Sequence, residues 1–327
     1  MGCSRTRLIA SIGFLPSASP GCTNLVACIK ITFSRCLRLV FNSAPKGCCV
    51  YFRPETVQEA VQVLATRGGQ ILAGGTDFFP ALGDRAVRGD VVDISSVGEL
   101  RGITFDSNYI TIGGLTTWAE IIKAPFPRCF EGLKAAAREI GGIQIQNRGT
   151  IAGNLCNASP AADSVPPLLA LDTEVELISR HGTRRMALAD FIVGNRKTLR
   201  QPDEILSRIL IPRKVENASS TFLKLGARRY LVISIVMVAA VIQNDEAHRV
   251  SAARVSVGSC SAVAIRLAEL EQALIGSPLT KGLSSLVRPE HLRNLSPIAD
   301  LRATSIYRKD AAFHLVQRAL NICARGA

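Results

Sequence analysis

The chain has 327 residues, of which 47% are hydrophobic, so it can bury the cores of about two domains. No apolar run approaches the roughly 20 residues that a membrane-spanning helix needs, and we expect a soluble, cytoplasmic protein without a membrane partner. The formal net charge is +13, but aromatic residues make up only 5% and no nucleic-acid recognition motif accompanies the charge. Composition therefore disfavours a membrane protein and a nucleic-acid-binding protein.

The first 48 residues differ from the rest and are interpreted as an atypical N-terminal extension. They carry six basic residues and no acidic one, and six of the ten cysteines fall within the first 49 residues. Arg5 and Arg7 precede an apolar stretch, which is typical of a weak targeting peptide, and Gly2 matches a short myristoylation pattern. We favour a third interpretation, an extension without function, because regular patterning begins near Val50.

Residues 49–214 are predicted to form a first domain of mixed helices and strands. Thr56 and Glu59 form a capping-box pattern that predicts the start of a helix, which Gly68-Gly69 should end. Thr116 or Thr117 is expected to cap another helix. The other elements predicted in chain order are strands 71–73 and 90–94, a hairpin 103–112, helix 131–140, a polar glycine-rich stretch 141–157, helix 166–171, a hairpin 174–188 and strand 204–211.

A patternless polar segment, residues 214–220, is expected to link this domain to a second one at 220–327. Three strands are predicted there, at Thr221–Leu225, Ser234–Gln243 and Val250–Gly258, and they should form an antiparallel sheet. Amphipathic helices are predicted at 262–275 and 309–323. The second domain is thus a small α+β unit.

Two glycine-containing turns carry the strongest chemical signal. The first is Ala73-Gly74-Gly75-Thr76-Asp77, directly after a strand, and the second is Gly149-Thr150-Ile151-Ala152-Gly153-Asn154. Paired glycines let main-chain amides approach an anion, and the Thr and Asn side chains add hydrogen-bond donors. Each turn alone is more often only a tight turn. Two of them in one chain favour a site for a dinucleotide diphosphate.

Other chemistries lack their motifs in this sequence. There is no G-x-G-x-x-G after a strand, no phosphate loop of the G-x-x-x-x-G-K-[ST] type and no CxxC pair. The four histidines are dispersed and form no constellation with a nucleophile. We therefore predict no catalytic side chain and no metal ligand.

The two turns resemble the flavin-binding motifs of the FAD-binding medium subunit of molybdenum hydroxylases, the xanthine dehydrogenase and carbon monoxide dehydrogenase flavoprotein family. The first motif is Ile71–Asp77 and the second runs from Gln144 to Asp163. The segment Phe222–Arg229 is similar to the start of that family's C-terminal domain. The resemblance extends from about Val50 to the end of the chain.

The resemblance implies a fold and a set of cofactor contacts. The fold class is α+β: a two-lobed FAD-binding fold of the vanillyl-alcohol oxidase type, followed by a small C-terminal domain with a three-stranded antiparallel sheet and helices. FAD would lie between the lobes, with its diphosphate on both turns. Asp163 would bind the adenosine ribose, Ile205 and Leu206 would line the flavin end, and Lys224 would be a contact from the second domain. The remaining implied contacts are Leu72, Ala73, Gly74, Gly75, Thr76, Asp77 and Phe78 around the diphosphate and flavin, Thr150, Gly153 and Asn154 on the phosphates, and Ile140 and Ile145 packed near the cofactor.

The resemblance also implies a function. A large molybdenum-cofactor subunit oxidises a substrate, and electrons pass through [2Fe–2S] clusters of a small subunit to FAD in this chain, then to NAD or another acceptor. Ala152 stands where the family usually has glycine, and its methyl group is expected to restrict the backbone or loosen a phosphate contact. Two alternatives remain: a self-sufficient FAD-dependent oxidase of the same fold, and a nucleotide-binding module without a redox role.

Overall fold

The structure is a computed structural model and describes residues 49–325. This part of the chain begins with a small parallel sheet. Its strands are β1 (Tyr51–Phe52), β2 (Gln70–Leu72) and β3 (Val91–Asp93), in the order β1-β3-β2. Parallel strands need a crossover connection, and helix α1 (Val57–Arg67) connects β1 to β2, which lie on either side of β3. The predictions that fall on residues 1–48 lie outside the described residues.

Helix α1 begins with the predicted cap, although the second half of the capping box is shifted. The Glu59 amide donates to the Thr56 hydroxyl oxygen at 3.2 Å. The Glu59 carboxylate accepts from the amide of Glu55 at 3.0 Å, one residue before the expected partner. The helix ends at Gly68, whose φ of 70° lies in the left-handed region that glycine tolerates. Its buried face packs on the parallel sheet.

The second sheet has five antiparallel strands in the order β4-β5-β10-β6-β7. β10 lies at its centre and is buried along most of its length. A short hairpin, β8 and β9, precedes it. The strands are β4 (Ile103–Phe105), β5 (Tyr109–Gly113), β6 (Glu174–Ser179), β7 (Gly182–Ala187), β8 (Ile192–Gly194), β9 (Lys197–Thr198) and β10 (Ile205–Pro212).

Seven short helices accompany these strands within the described residues. They are α2 (Phe78–Leu82), α3 (Trp118–Lys123), α4 (Glu131–Glu139), α5 (Ile143–Arg148), α6 (Ile151–Asn157), α7 (Val165–Ala170) and α8 (Leu188–Phe191). Thr117 caps α3 with a complete capping box, which confirms that prediction. The sequence predicts no element within 141–157, but α5 and α6 occupy most of that stretch. The Thr150 hydroxyl caps α6, and Ile151, Ala152 and Leu155 form its buried side.

The last part of the chain forms a four-stranded antiparallel sheet in the order β11-β12-β13-β14. The three predicted strands are present as β11 (Ser219–Leu225), β12 (Val236–Asn244) and β13 (Val250–Gly258), and a short fourth strand, β14 (Ile265–Arg266), extends the sheet. Because β14 occupies the start of the predicted helix 262–275, helix α9 is confined to Ala268–Leu274. The last helix, α10, spans Ser305–Arg325.

Strand β12 is buried on both faces and joins two parts of the protein. Met237, Ala239 and Val241 belong to one hydrophobic core with α4 and α7, whereas the alternate residues Val238 and Ala240 belong to another with α9 and α10. Side chains alternate between the faces of a strand, so a continuous apolar run fits a strand covered on both sides. None of the helices within residues 49–325 combines the length and apolarity needed to cross a bilayer.

Candidate cofactor-binding site

A cleft of about 440 Å³ lies where the two glycine turns meet, and its volume falls in the range typical of small-molecule sites. It combines the first turn, helix α6 and the start of β10. The lining residues are Gly69, Gln70, Ile71, Ala73, Gly74, Gly75, Thr76, Asp77, Phe78, Ala81, Ile94, Leu115, Trp118, Ile140, Ile145, Gly149, Thr150, Ala152, Gly153, Asn154, Cys156, Asn157, Arg200, Ile205 and Leu206.

The two turns are in direct contact, and Gly74 makes this possible. A methyl group added at Gly74 would lie 1.9 Å from the carbonyl oxygen of Arg148 and 2.7 Å from its carbonyl carbon. Both atoms belong to the backbone and cannot rotate away. Gly75 follows with a φ of 78°, a backbone conformation that residues with a Cβ rarely adopt. The first turn therefore needs glycine at both positions, and the predicted convergence of the turns is present.

The first turn offers main-chain donors to the cleft. Within the described residues, the N–H groups of Gly74, Gly75, Thr76 and Asp77 donate to no other group of the protein. The three residues from Gly74 to Thr76 are only half-buried, so these groups are accessible from the cleft. Consecutive free N–H groups form a concave site with positive potential, which suits a phosphate.

The second turn contributes side chains, because the amides at the start of α6, residues 151–153, are already used. The Ile151 amide donates to Thr116 O at 3.0 Å, and the Ala152 amide donates to Gly114 O at 3.1 Å. The Gly153 amide donates to the Thr150 hydroxyl oxygen at 3.2 Å. These hydrogen bonds fix the start of α6, so the three amide groups are not free to bind a ligand. Thr150 and Asn154 are the polar side chains of this turn that line the cleft, and the Thr150 hydroxyl is already used as the cap of α6.

The orientation of Asn154 is set from behind. The buried Ser164 hydroxyl donates to Asn154 Oδ1 at 2.6 Å. With its carbonyl oxygen engaged, the side-chain amide nitrogen is the group left for the cleft, and it has no partner within residues 49–325. The second turn thus presents a fixed hydrogen-bond donor.

Ala152, the departure from the family pattern, is a buried residue that lines the cleft. Its methyl group lies next to Gly114, since a methyl group added at Gly114 would come 3.1 Å from it and 2.4 Å from the carbonyl oxygen of Leu206. The absence of a side chain at Gly114 therefore leaves space for Ala152. The expected effect on the phosphate contact stays a prediction.

Apolar side chains form another wall of the cleft. Ile140, Ile145, Ile205 and Leu206 were predicted at this position, and Trp118 lies among them. Leu206 is buried, whereas the Ile145 side chain is 37% exposed at the rim. A planar aromatic ring system can pack against such a surface while polar groups bind at the turns.

Asp163 and Lys224 lie together but outside the lining of the cleft. Their side chains are almost fully buried and form an ion pair of 2.7 Å, and the Ser234 hydroxyl donates to the second oxygen of Asp163 at 2.6 Å. Burial raises the pKa of Asp163, and the Lys224 charge acts against this effect. The pair joins the segment before α7 to β11. Leu72 is also a predicted contact that does not line the cleft, like Asp163 and Lys224. Its side chain is buried behind the first turn.

Four polar lining residues were not predicted from the sequence, and one of them, Gln70, lies on β2. Cys156 and Asn157 lie on α6 one and two positions beyond the buried Leu155, and Arg200 lies between β9 and β10. The spacing of Asn154 and Asn157 places them on one side of a helix and could have indicated Asn157. No local signal identifies Arg200.

The donor-rich turns and the apolar wall fit a dinucleotide with a diphosphate and an aromatic ring system. Within residues 49–325, no group of three or more His, Cys, Asp and Glu side chains is arranged to bind a metal ion. The cleft and its fold therefore define a protein that binds a nucleotide cofactor through main-chain and amide donors.

Comparison with known proteins identifies this class more closely. Residues 41–214 match the FAD binding domain in molybdopterin dehydrogenase, and residues 221–322 match the CO dehydrogenase flavoprotein C-terminal domain. The chain is 34% identical to the nicotinate dehydrogenase FAD-subunit of Eubacterium barkeri, over 80% of this chain and 91% of the relative. It is 33% identical to a putative xanthine dehydrogenase FAD-binding subunit of Escherichia coli K12, over 82% of this chain and 91% of the relative.

A solved structure agrees with these matches. The reconstituted CO dehydrogenase from Oligotropha carboxidovorans contains a chain that superposes with a TM-score of 0.77 and 26% identity, covering 86% of this chain and 99% of the other. The chain belongs to the family of FAD-binding medium subunits of molybdenum hydroxylases. Its cofactor is FAD, and it is an oxidoreductase subunit.

Proposed function

We propose that this chain carries electrons between a partner subunit and a final acceptor, with FAD as the carrier. The observation that carries the proposal is the cleft itself, which offers unused donors and an apolar wall but, among its described lining residues, no acid–base pair at hydrogen-bond distance. Bound FAD would supply the chemistry, since flavins can take up and release electrons. The chain's own residues then have to bind and orient the cofactor rather than act on a substrate.

The roles of individual residues follow from the geometry of the cleft. The amides of Gly74 to Asp77 would hold a phosphate, and the Asn154 amide nitrogen would donate to a phosphate or ribose oxygen. Ile140, Ile145, Ile205 and Leu206 would pack against the cofactor rings. Asp163 and Lys224 would act from outside the lining of the cleft, where their ion pair joins the segment before α7 to β11.

We also propose the division of the chain into an FAD-binding domain at 49–214 and a C-terminal flavoprotein domain at 220–327. The change from the five-stranded sheet to the four-stranded sheet between β10 and β11 supports this boundary. Residues 213–215 form a single helical turn between the two strands.

The partners would be a molybdenum-cofactor large subunit and a [2Fe–2S] small subunit. Support comes from relatives whose names describe them as parts of complexes, such as the carbon monoxide dehydrogenase medium chain of Hydrogenophaga pseudoflava, 28% identical over 83% of this chain. The electrons would enter from the small subunit and leave to NAD or another acceptor.

Purification of the chain with its neighbours tests the proposal. We expect a yellow preparation with a flavin absorption spectrum, in which a molybdenum subunit and an iron–sulfur subunit copurify. The flavin should be reduced by the substrate of the molybdenum subunit only in the complete complex. Reduction of the isolated chain by a small alcohol would instead favour the self-sufficient oxidase, and a colourless protein that binds nucleotides would overturn the redox role.

A further inference from the structure

A hairpin outside the two glycine turns reaches the end of helix α6. The tip of the β8–β9 hairpin holds Arg196, whose φ of 54° is left-handed. Its amide donates to the carbonyl oxygen of Ala158 at 2.8 Å, and its Nη1 donates to Asn157 Oδ1 at 2.8 Å. The hairpin is therefore fixed to the last turn of α6 by a main-chain and a side-chain bond.

Arg196 determines which way the Asn157 amide points. Arginine has only donors, so the atom of Asn157 that faces it must be the oxygen. The amide nitrogen of Asn157 is then turned away from Arg196, and within residues 49–325 it has no hydrogen-bond partner. Asn157 lines the cleft one helical turn beyond Asn154. Arg196 is a positioning residue for a second amide donor.

The same segment of the chain brings a fixed cation into the cleft. Arg200 follows β9, and its Nη1 donates to the carbonyl oxygens of Gln201 at 3.0 Å and Glu204 at 2.8 Å. The turn that supplies these oxygens is itself held, because the buried Glu204 carboxylate accepts from the Gln201 amide and from Arg184. The guanidinium group of Arg200 therefore has little freedom to leave its position.

Part of this guanidinium group is unused. Nε and Nη2 of Arg200 make no hydrogen bond within the described residues. Arg200 is the only cation among the described residues that line the cleft. It lies near α6, because it lines the same cleft as Cys156 and Asn157. Burial raises the pKa of Cys156 to about 11, and the Arg200 charge acts in the opposite direction.

We propose that Asn157 and Arg200 form an anion-binding pair, held by the β8–β9 hairpin, that binds phosphate oxygens of the cofactor beyond the two glycine turns. This inference rests on the proposed FAD site: Arg200 lies outside both motifs, and Asn157 lies within the second motif but is not among the contacts that the resemblance implies. A diphosphate carries two negative charges, and the free amides of the first turn are neutral. A fixed guanidinium with unused donors supplies the opposite charge, and hydrogen bonds between charged groups are the stronger kind.

The test measures FAD affinity of the full-length chain after removal of the cofactor. R200M removes the charge and keeps a side chain of similar length, and we expect the Kd for FAD to rise roughly ten- to a hundredfold. The increase should be smaller at high salt, because salt already screens the attraction between Arg200 and the phosphate in the parent chain, so that less is lost in R200M. R318M is the matched control: Arg318 is exposed on α10 outside the cleft, so its loss should leave the Kd unchanged.

N157D separates binding from folding. An aspartate keeps the bond to Arg196 and adds charge to it, so the thermal stability of the chain without cofactor should not fall. The same change replaces the donor in the cleft with an acceptor, and the Kd for FAD should rise roughly tenfold or more. R196M should weaken FAD binding severalfold, and this effect should vanish in an N157A background.

Ligand fragments identify the group that is bound. R200M should weaken ADP, FMN or both, depending on which phosphate lies near Arg200, and should leave riboflavin binding unchanged. Equal loss of riboflavin affinity would overturn the phosphate assignment. If R200M and N157D both bind FAD within about twofold of the parent chain, the inference is wrong although the flavoprotein assignment stands. Failure of the parent chain itself to bind FAD would refute the proposed function instead.

Discussion

The contact between Gly74 and the Arg148 carbonyl is the tightest constraint on the cleft. A methyl group at position 74 would overlap backbone atoms at 1.9 and 2.7 Å, so the two turns would have to separate. We expect G74A to lower the free energy of unfolding by about 3 kcal/mol and to abolish FAD binding. Urea unfolding and FAD titration measure the two effects.

G98A serves as the control for this prediction. A methyl group at Gly98 would meet nothing within 4 Å, and the residue does not have a positive φ. Its stability should stay within about 0.5 kcal/mol of the parent chain. Wild-type stability in G74A would show that the turns do not meet as described.

The Ser164 hydroxyl has a role that is separate from packing. S164A would release the Asn154 side chain, and we expect the Kd for FAD to rise roughly tenfold with a loss of stability of about 1 kcal/mol. Ser256 gives a matched control, because it is equally buried and its hydroxyl has no hydrogen-bond partner in the described residues. Equal FAD affinity in S164A and S256A would contradict the prediction.

At the scale of single residues, the sequence predicts what depends on local backbone. The first turn and Thr150, Gly153 and Asn154 follow from glycine and polar residues at short spacing, and all of them line the cleft. Arg200 could not be predicted, because it reaches the cleft only through the pairing of β8 with β9 and the position of β10. The partnership of Asp163 with Lys224 likewise depends on segments 61 residues apart.

Among the elements, the end of α7 is joined to the C-terminal sheet through Asp172. Its carboxylate pairs with Arg254 of β13 at 2.7 Å, Arg266 of β14 at 2.8 Å and Lys214 at 3.2 Å. Burial alone would raise the pKa of Asp172, but the two arginines outweigh this effect and hold the pKa below its ordinary value of 3.8. The ionised carboxylate therefore stabilises the joint.

The ion pairs of Asp172 predict how the stability of the chain depends on pH, with a definite sign. A carboxyl group with a lowered pKa contributes stability above its ordinary value of 3.8 and loses it as the pH falls through the folded-state value. D172N should cost about 2 kcal/mol at neutral pH, and the difference from the parent chain should shrink in acid. Asparagine tolerates the left-handed φ of 53° at this position, so the backbone should be retained.

Urea unfolding of both chains from neutral pH to about pH 3 measures this effect. D310N is the control, since Asp310 is exposed on α10 and its one partner in the part of the chain that the structure describes is His314, at 3.7 Å. A constant difference between D172N and the parent chain at every pH would contradict the assignment.

The elements also show where sequence patterns fail. Residues 141–157 carry two helices despite their glycines. The start of α6 is fixed by tertiary hydrogen bonds, in which the carbonyl oxygens of Thr116 and Gly114 accept from amides of the helix. The amphipathic pattern at 262–275 covers both a strand and a helix, since Ile265 and Arg266 pair with the edge of β13. Pairing with the preceding strand overrode local periodicity in this case.

For the whole molecule, the two proposed domains share a hydrophobic core. Phe222, Met237 and Val241 from the C-terminal sheet belong to the same core as Leu133 and Leu168. We expect the described part of the chain to unfold in one transition. The single tryptophan, Trp118, is buried in the first part, so its fluorescence should change at the same urea concentration as hydrogen exchange of the β12 amides. Two separate midpoints would show that the domains unfold independently.

The sequence predicts the general architecture better than its connections. A mixed fold with a C-terminal antiparallel sheet follows from the order of the predicted strands and helices, whereas the flavin-binding part is implied by the resemblance of the two motifs to a known family. The placement of β10 between β5 and β6 does not, because those pairs join residues about 100 and 30 positions apart and no local pattern specifies their register.

The closeness of Gly74 to Arg148 has a consequence for how such chains diverge. The constraint comes from protein atoms on both sides, so it would persist in a descendant that had lost its flavin. A glycine at this position therefore indicates that the two turns are in contact, and it does not indicate that a flavin is bound. Groups that have no hydrogen-bond partner within the described residues, such as the Asn157 amide nitrogen in our proposal, are where loss of the flavin would first become visible.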